Sequence, residues 1–508
     1  MRLPLLLGVA MGCFGTALAF PDSSKIGSLQ RPLLAHDADQ QSKQPAHSVK
    51  EHSGDADICA AGSKHYTGTV SVSDEKKLFF WFFESRNDPS KSPVVIWLNG
   101  GPGGSSMFGL FREIGPCLTN EHNNGTDYND YSWTEFANVL FIDQPAGVGF
   151  STVRNGSTGG PDNALEAGED FNLFLTVFFQ DIFPDFSGNG LHIAGESFGG
   201  KYVPNFVRHI SERQKQGTNP MLVPIQSIIL VDAVLDMTSS GPLGHYDHFC
   251  AVDEKGARLK KNGFNETACS ALEEDTPEAE RLVALCLETY DRHVCKASDV
   301  FANEHLGKWL AGDVYEGGRD PYDDRRECGN NPPICEPFDS TGYASYLNLP
   351  HVKEALGFDR DFRFNGINND TNARWEASGE LFIPSTREVT YILDKTPTRV
   401  LVINGNNDII VNTEGQKRVY NHLPWHRQAA FRMRKFQNWA WSDKSGTLLK
   451  GGQFKTVGDS AGAATSKLSF VSVDEAGHAS PGDQREAIAW LVGRWTGSKP
   501  SEDGLCFV

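Results

Sequence analysis

A serine, an aspartate and a histidine stand out as residues that could do chemistry together, each placed where an extended apolar run gives way to a loop. Ser197 lies in Gly195-Glu196-Ser197-Phe198-Gly199-Gly200, Asp408 follows Gly405-Asn406-Asn407, and His478 follows Glu475-Ala476-Gly477. A serine hydroxyl is a poor nucleophile until an imidazole takes its proton, and that imidazole needs a carboxylate to fix its tautomer. The G-x-S-x-G pattern recurs at Gly458-Asp459-Ser460-Ala461-Gly462. That copy follows Phe454-Lys455-Thr456-Val457 and leads into Ala463-Ala464-Thr465-Ser466-Lys467 without an amphipathic run, so it reads as a loop between two short strands. No C-x-x-C or H-E-x-x-H spacing occurs, so neither a metal nor another cofactor is expected.

Such groups must be carried by rigid elements. Leu191-His192-Ile193-Ala194 precedes Ser197, and Val203, Phe206, Val207 and Ile210 follow it at helical spacing: strand, sharp turn, amphipathic helix. A turn of this kind lifts the serine to the top of a sheet and aims the next backbone N–H at a developing oxyanion. Residues 94–98 form a continuous apolar run that opens into Asn99-Gly100-Gly101-Pro102-Gly103-Gly104, as expected of a strand buried on both faces. Residues 139–142 repeat the pattern before Asp143-Gln144-Pro145, and 66–72 with 78–83 read as a hairpin around Asp74-Glu75-Lys76. A helix carrying Phe171, Phe174, Leu175 and Phe178, strands at 225–231, 400–403 and 468–473, and a last helix with Ile488, Leu491, Val492 and Trp495 complete the alternation. Strands alternating with helices imply an α/β fold with a mostly parallel central sheet covered on both faces. The chain order serine, aspartate, histidine is that of the α/β-hydrolase fold.

The 508 residues, 39% of them hydrophobic, can bury one large core or two ordinary ones. A formal net charge of −18 with no block of Lys or Arg excludes nucleic acid and anionic membrane as expected partners. Met1-Arg2, an apolar run to Phe14 and Ala17-Leu18-Ala19 read as a secretory signal over residues 1–19. Residues 20–55 are polar and aperiodic, as in a pro-segment or disordered tail. The core is expected over 56–235 and 348–508, interrupted by a charged, cysteine-rich insertion at 236–347. No later stretch is apolar over the ~18 residues needed to span a bilayer. Of ten cysteines, one lies in the signal and six between Cys250 and Cys335, which favours disulfides in an exported chain. Sequons at Asn124, Asn155, Asn265 and Asn369 suit N-glycosylation along a secretory route, extracellular or vacuolar.

Four blocks carry a family resemblance: Trp97-Leu98-Asn99-Gly100-Gly101-Pro102-Gly103, Asp143-Gln144-Pro145, Gly195-Glu196-Ser197-Phe198-Gly199-Gly200-Lys201-Tyr202-Val203-Pro204 and Ala476-Gly477-His478. Together, from Cys59 to Trp495, they resemble the serine carboxypeptidases, of the fungal secreted or vacuolar kind. The resemblance implies an acidic-pH exopeptidase that removes single residues from the C-termini of peptides and proteins. It implies Ser197 as nucleophile, His478 as base and then acid, Asp408 as its orienting carboxylate, and the N–H groups of Gly101 and Phe198 as oxyanion hole. It further implies that Asn99, Glu113 and Glu196 bind the substrate's terminal carboxylate. By itself Glu113, in Phe111-Arg112-Glu113-Ile114, reads as a solvated helix residue.

The chain departs from the family's usual pattern at Gly104, Asn406, Val411, Ala479 and Asp232-Ala233-Val234. None of these removes a catalytic group, but Ala479 in place of a typical methionine should reshape the pocket for the leaving residue. The insertion then reads as a disulfide-rich cap over the sheet's carboxyl edge, where open α/β sheets bind ligands. Pairing does not follow from sequence; short-range bridges Cys250 to Cys269, Cys286 to Cys295 and Cys328 to Cys335, with Cys59 and Cys117 as a further pair, are the expectation. An esterase, acyltransferase or lyase on the same scaffold, and a catalytically silent peptide-binding glycoprotein, are the alternatives. Oligomeric state does not follow from sequence.

Overall fold

A computed structural model describes residues 46–497 apart from 54–57, 155–158, 220, 258, 261–262, 311–318, 328–340 and 461–464. Its frame is one large sheet. In chain order the strands are β1 (His47–His52), β2 (His65–Ser71), β3 (Lys76–Phe83), β4 (Val94–Leu98), β5 (Asn138–Asp143), β6 (Leu191–Glu196), β7 (Ile225–Val231), β8 (Arg399–Gly405), β9 (Gln437–Ser442), β10 (Leu448–Gly458) and β11 (Ser466–Val473). Across the sheet they run β1-β2-β3-β5-β4-β6-β7-β8-β11-β10-β9, with a short Thr152–Val153 strand beside β3. The six from β5 to β11 are mutually parallel, and antiparallel strands extend both edges. Val, Ile and Leu saturate the parallel strands because both faces are covered.

Successive side chains of a strand point to opposite faces. Thus Val94, Ile96 and Leu98 join one apolar cluster and Val95 and Trp97 the other. The first cluster packs β4 and β6 under helices α1 (Ala164–Val177) and α2 (Gly199–Lys215) through Phe171, Phe174, Phe206 and Ile210. The second takes Ile488, Leu491, Val492 and Trp495 of the last helix, Arg485–Thr496.

Register aligns the chemistry. Leu98 lies opposite Gly195, Glu196 opposite Val231, Val231 opposite Ile403, and Gly405 opposite Val473. Asn99, Ser197, Asp232, Asp408 and His478 therefore all emerge at the same, carboxyl edge of the parallel strands, where ligands of such sheets bind.

Between β7 and β8 the helices Glu266–Thr289 and Arg292–Ala302 build a separate small cluster around Leu243, Phe249, Phe264 and Leu272. Disulfides Cys250–Cys269 and Cys286–Cys295 staple it, and Cys59–Cys117 ties the start of the fold to the segment after the glycine loop. Cys328, Cys335, Asn155 and residues 1–19 lie outside the described residues.

Two segments near the expected boundaries pair or pack with the main sheet and core. Residues 20–55 were expected to lie outside the fold, but His47–His52 pairs with β2 in antiparallel register. Its first five side chains are exposed, so the strand is held by backbone hydrogen bonds, which leave no apolar pattern to read. The helix Thr341–Leu347, expected within the insertion, packs instead with the main core: Tyr343, Tyr346 and Leu347 bury beside Phe108 and Phe111.

Candidate active site

Ser197 has φ +57°, a left-handed conformation that costs energy for a residue with a Cβ and persists only where its surroundings over-determine it. Here they do: its N–H donates to the Val231 carbonyl, and its own carbonyl accepts from the N–H groups of Gly200 and Val234. The flanking glycines are forced by packing, since a Cβ at Gly195 would lie 2.6 Å from Val203 Cγ2 and one at Gly200 2.5 Å from the Val234 carbonyl oxygen.

His478 Nδ1 lies 2.6 Å from Asp408 Oδ2, with both side chains buried, and Asp408 Oδ1 accepts from the Val411 N–H. The His478 N–H donates to the Tyr322 carbonyl at 2.8 Å, and the Tyr322 ring lies 5.5 Å from the imidazole. Ser197 and His478 line one cavity of about 150 Å³ with Asn99, Gly101, Phe108 and Glu196. Among the described residues the N–H groups of Gly101 and Phe198 have no acceptor, and both belong to the turns that border this cavity. Gly100 presses on the same turn: a Cβ there would lie 2.3 Å from Phe198 N. Asp143 shapes the glycine loop by accepting from Ser105 Oγ, the Ser106 N–H and the Phe150 N–H; burial pushes its carboxyl up to about 6.

Asn99, Glu113 and Glu196 meet beside this cavity. Asn99 Oδ1 accepts from Trp97 Nε1 and the Gly109 N–H, which turns Nδ2 toward Glu196 Oε1 at 3.0 Å. Gly109 makes room for the indole, because a Cβ there would sit 2.1 Å from Trp97 Nε1. Glu113 ends a single helical turn, Gly109–Glu113, and is buried rather than solvated. The two buried carboxyls lie close enough for each to shift the other's titration, an arrangement that favours a protonated member, and Glu113 Oε1 and Oε2 and Glu196 Oε2 accept no hydrogen bond from the described residues. Burial pushes Glu113 up to about 7, and burial with the neighbouring Glu113 charge holds Glu196 well above the usual carboxylate range.

Sequence reasoning missed Tyr322, Phe108 and the role of Asp232. Asp232, in a left-handed backbone conformation at the end of β7, accepts from the Gly405 N–H at 2.6 Å and from Ser480 Oγ at 2.5 Å. It thereby ties β8 to the segment just after His478. Burial and the nearby Asp408 charge raise its carboxyl well above the ordinary range. Asp74, Glu75 and their like announce turns; nothing local announces these three. Asn124, Asn265 and Asn369 are exposed, Asn265 capping the Glu266–Thr289 helix. Among the described residues no group of three or more His, Cys, Asp or Glu side chains could hold a metal ion.

Comparison with known proteins places this geometry in context. Residues 58–498 match the family model described as serine carboxypeptidase. The carboxypeptidase Y homolog A of Aspergillus clavatus is 33% identical over 442 residues, 86% of this chain and 75% of that protein. The protein of that name from Emericella nidulans is 34% identical over 440 residues, 86% of this chain and 73% of its own length. Among solved structures, the prohormone-processing carboxypeptidase Kex1Δp of Saccharomyces cerevisiae superposes with a TM-score of 0.66 at 22% identity, covering 85% of this chain and 91% of that one. That likeness speaks for the fold.

Proposed function

The chain belongs to the serine carboxypeptidase family of hydrolases, and from that premise we propose that it releases single residues from peptide C-termini through an acyl-enzyme on Ser197. Ser197 Oγ attacks the last peptide carbonyl while His478 Nε2 takes the hydroxyl proton. Asp408 Oδ2, 2.6 Å from Nδ1, keeps that nitrogen protonated and stabilises the imidazolium. The Gly101 and Phe198 N–H groups receive the negative carbonyl oxygen. Collapse breaks the C–N bond, the leaving amine takes the proton from His478, and water activated by the same imidazole then hydrolyses the serine ester.

The observation that carries the exopeptidase reading is the buried Glu113–Glu196 pair beside Asn99. Two ionised glutamates would repel a substrate carboxylate; with both carboxyls raised, a protonated member of the pair can donate its O–H to the substrate while Asn99 supplies a second hydrogen bond. Carboxylate binding is then an acidic-pH function. As pH rises through the titration of the pair, with Glu113 near 7, the proton leaves and KM for free-acid peptides climbs. The matching peptide amides lose nothing by this.

Profiles of an N-blocked dipeptide and its amide between about pH 4 and 8, spanning carboxyl and imidazole titration, test the reading. The acid-to-amide ratio of kcat/KM should fall with pH in the parent and flatten in Glu113→Gln/Glu196→Gln. Parallel profiles in the parent would favour an esterase or acyltransferase. An exported destination, extracellular or vacuolar, is supported by the amino-terminal signal pattern and by three disulfides. No described helix is long and apolar enough to cross a membrane.

A further inference from the structure

A second cavity, of about 310 Å³, adjoins the one that holds Ser197. Phe108 walls both; His478 lines the first and Ala479 the second; Glu196 lines the first and the neighbouring carboxyl of Glu113 the second. The leaving residue's nitrogen must reach His478 and its carboxylate must reach the glutamate pair. The first cavity, lined by both His478 and Glu196, takes those two groups; the second opens beside it between Ala479 and Glu113, on the side left for the leaving residue's side chain, and Ala479 is too small to fill it.

Its lining is cationic in a chain of net charge −18. Arg112, Arg326 and Arg485 border it, opposed by Asp483 and Glu113. Asp483 is already engaged on both oxygens, by Arg326 at 2.8 Å and by Arg325 at 3.0 Å together with the Gly477 N–H. Glu113 carries a proton under acidic conditions. Arg485 donates to the Arg112 carbonyl at 2.9 Å, which brings the two basic residues to one wall, and its buried Nε has no acceptor among the described residues. Phe111 and Leu118 supply an apolar flank for a methylene stem.

We propose that this cavity is the leaving-residue pocket and that it selects peptides ending in a carboxylate side chain, glutamate or aspartate, with Arg112 and Arg485 as the selecting groups. The proposal rests on the carboxypeptidase reading above. A guanidinium fork pairs with a carboxylate through short, charge-assisted bonds that a neutral amide of the same shape cannot match.

The test uses the full chain and four N-blocked dipeptides alike except for a C-terminal Glu, Gln, Leu or Arg, at about pH 5, where a glutamate side chain is largely ionised. The parent should favour Glu over Gln by about tenfold or more in kcat/KM. Arg112→Gln and Arg485→Gln should each bring that ratio toward one, and Arg112→Glu should shift preference toward the Arg peptide. Fluorophosphonate labelling of Ser197 in every variant reports a folded site; should Arg485→Gln fail to label, the partly exposed Arg112 decides. Equal parent rates on Glu and Gln, or a ratio unmoved by Arg112→Gln, overturns the pocket assignment alone. Labelled parent that cleaves none of the four peptides overturns the carboxypeptidase reading and the pocket with it.

Discussion

Ser197 and Ser460 share a five-residue pattern, and their surroundings separate them. Ser197 is held in a left-handed turn between a buried strand and a helix, on the cavity that His478 lines, whereas Ser460 is exposed just after β10. Ser197→Ala should lower turnover by about 10⁶ while Ser460→Ala stays close to the parent, read from steady-state kinetics on one peptide. Asp408→Asn should cost roughly 10⁴ by favouring the wrong histidine tautomer. Asp474, an alternative carboxylate just past the end of β11, is committed elsewhere: its oxygens accept from Asn406 Nδ2 at 2.7 Å and from Lys450 at 2.6 Å. That pairing alters what Asn406→Asp should do. From sequence the change merely restores a common family residue; in the structure it replaces a donor to Asp474 with a like charge. A stability loss of about 1 kcal/mol, measured by denaturant unfolding at neutral pH, is expected.

The hairpin formed by Arg319–Asp320 and Asp323–Glu327 spans both loops that carry the histidine and its aspartate. Tyr322 accepts from the His478 N–H; the Asp324 N–H donates to the Asn407 carbonyl, and Asp324 Oδ1 accepts from Asn407 Nδ2 at 2.6 Å, one residue before Asp408. From the insertion, His248 Nε2 lies 2.9 Å from Asp324 Oδ2, and Lys260 pairs with the same oxygen. Asp324→Ala leaves Lys260 without its carboxylate and frees Asn407. It should destabilise by about 3 kcal/mol, as breaking a buried ion pair does, and lower kcat more than it raises KM, because the imidazole loses its fixed position. Thermal unfolding and steady-state kinetics together check this. Loss of stability with an unchanged kcat would mean that the hairpin supports the fold and does not position the histidine.

Over the whole molecule, buried carboxyls with raised pKa favour the fold at low pH, while the buried His65, His192 and His245, pushed down by burial, oppose it there. Glu113 is pushed up to about 7 and Asp143 to about 6 by burial; Glu196 and Asp232 are raised well above the ordinary carboxylate range. A carboxyl whose folded pKa exceeds its unfolded one stabilises the fold fully below the unfolded value, and that contribution is lost as pH rises through the folded value. Above about pH 6.5, where the buried His65, His192 and His245, each pushed down to about 3 by burial, are neutral folded or unfolded, the melting temperature should therefore fall by a few degrees towards pH 8, and a flat profile there would mean that Glu113, Glu196 and Asp232 are already charged in the folded state. The growing repulsion of an acidic chain acts in the same direction. Period and turn chemistry depend on near neighbours in the chain, which is why β4, β6, β7, β8 and β11, the elbow at Ser197 and the loops bearing Asp408 and His478 were legible in the residues themselves. Family likeness alone pointed to Glu113, since its local sequence is that of a solvated turn of helix. β1 left no mark because ladder hydrogen bonds are blind to side-chain type. The buried approach of Glu113 to Glu196, the clasp of Asp232 on Ser480 and the meeting of Arg112, Arg326 and Arg485 join residues tens to hundreds of positions apart. Strand register and helix packing decide which of them come together, and burial then sets their charge; both are properties of the folded whole.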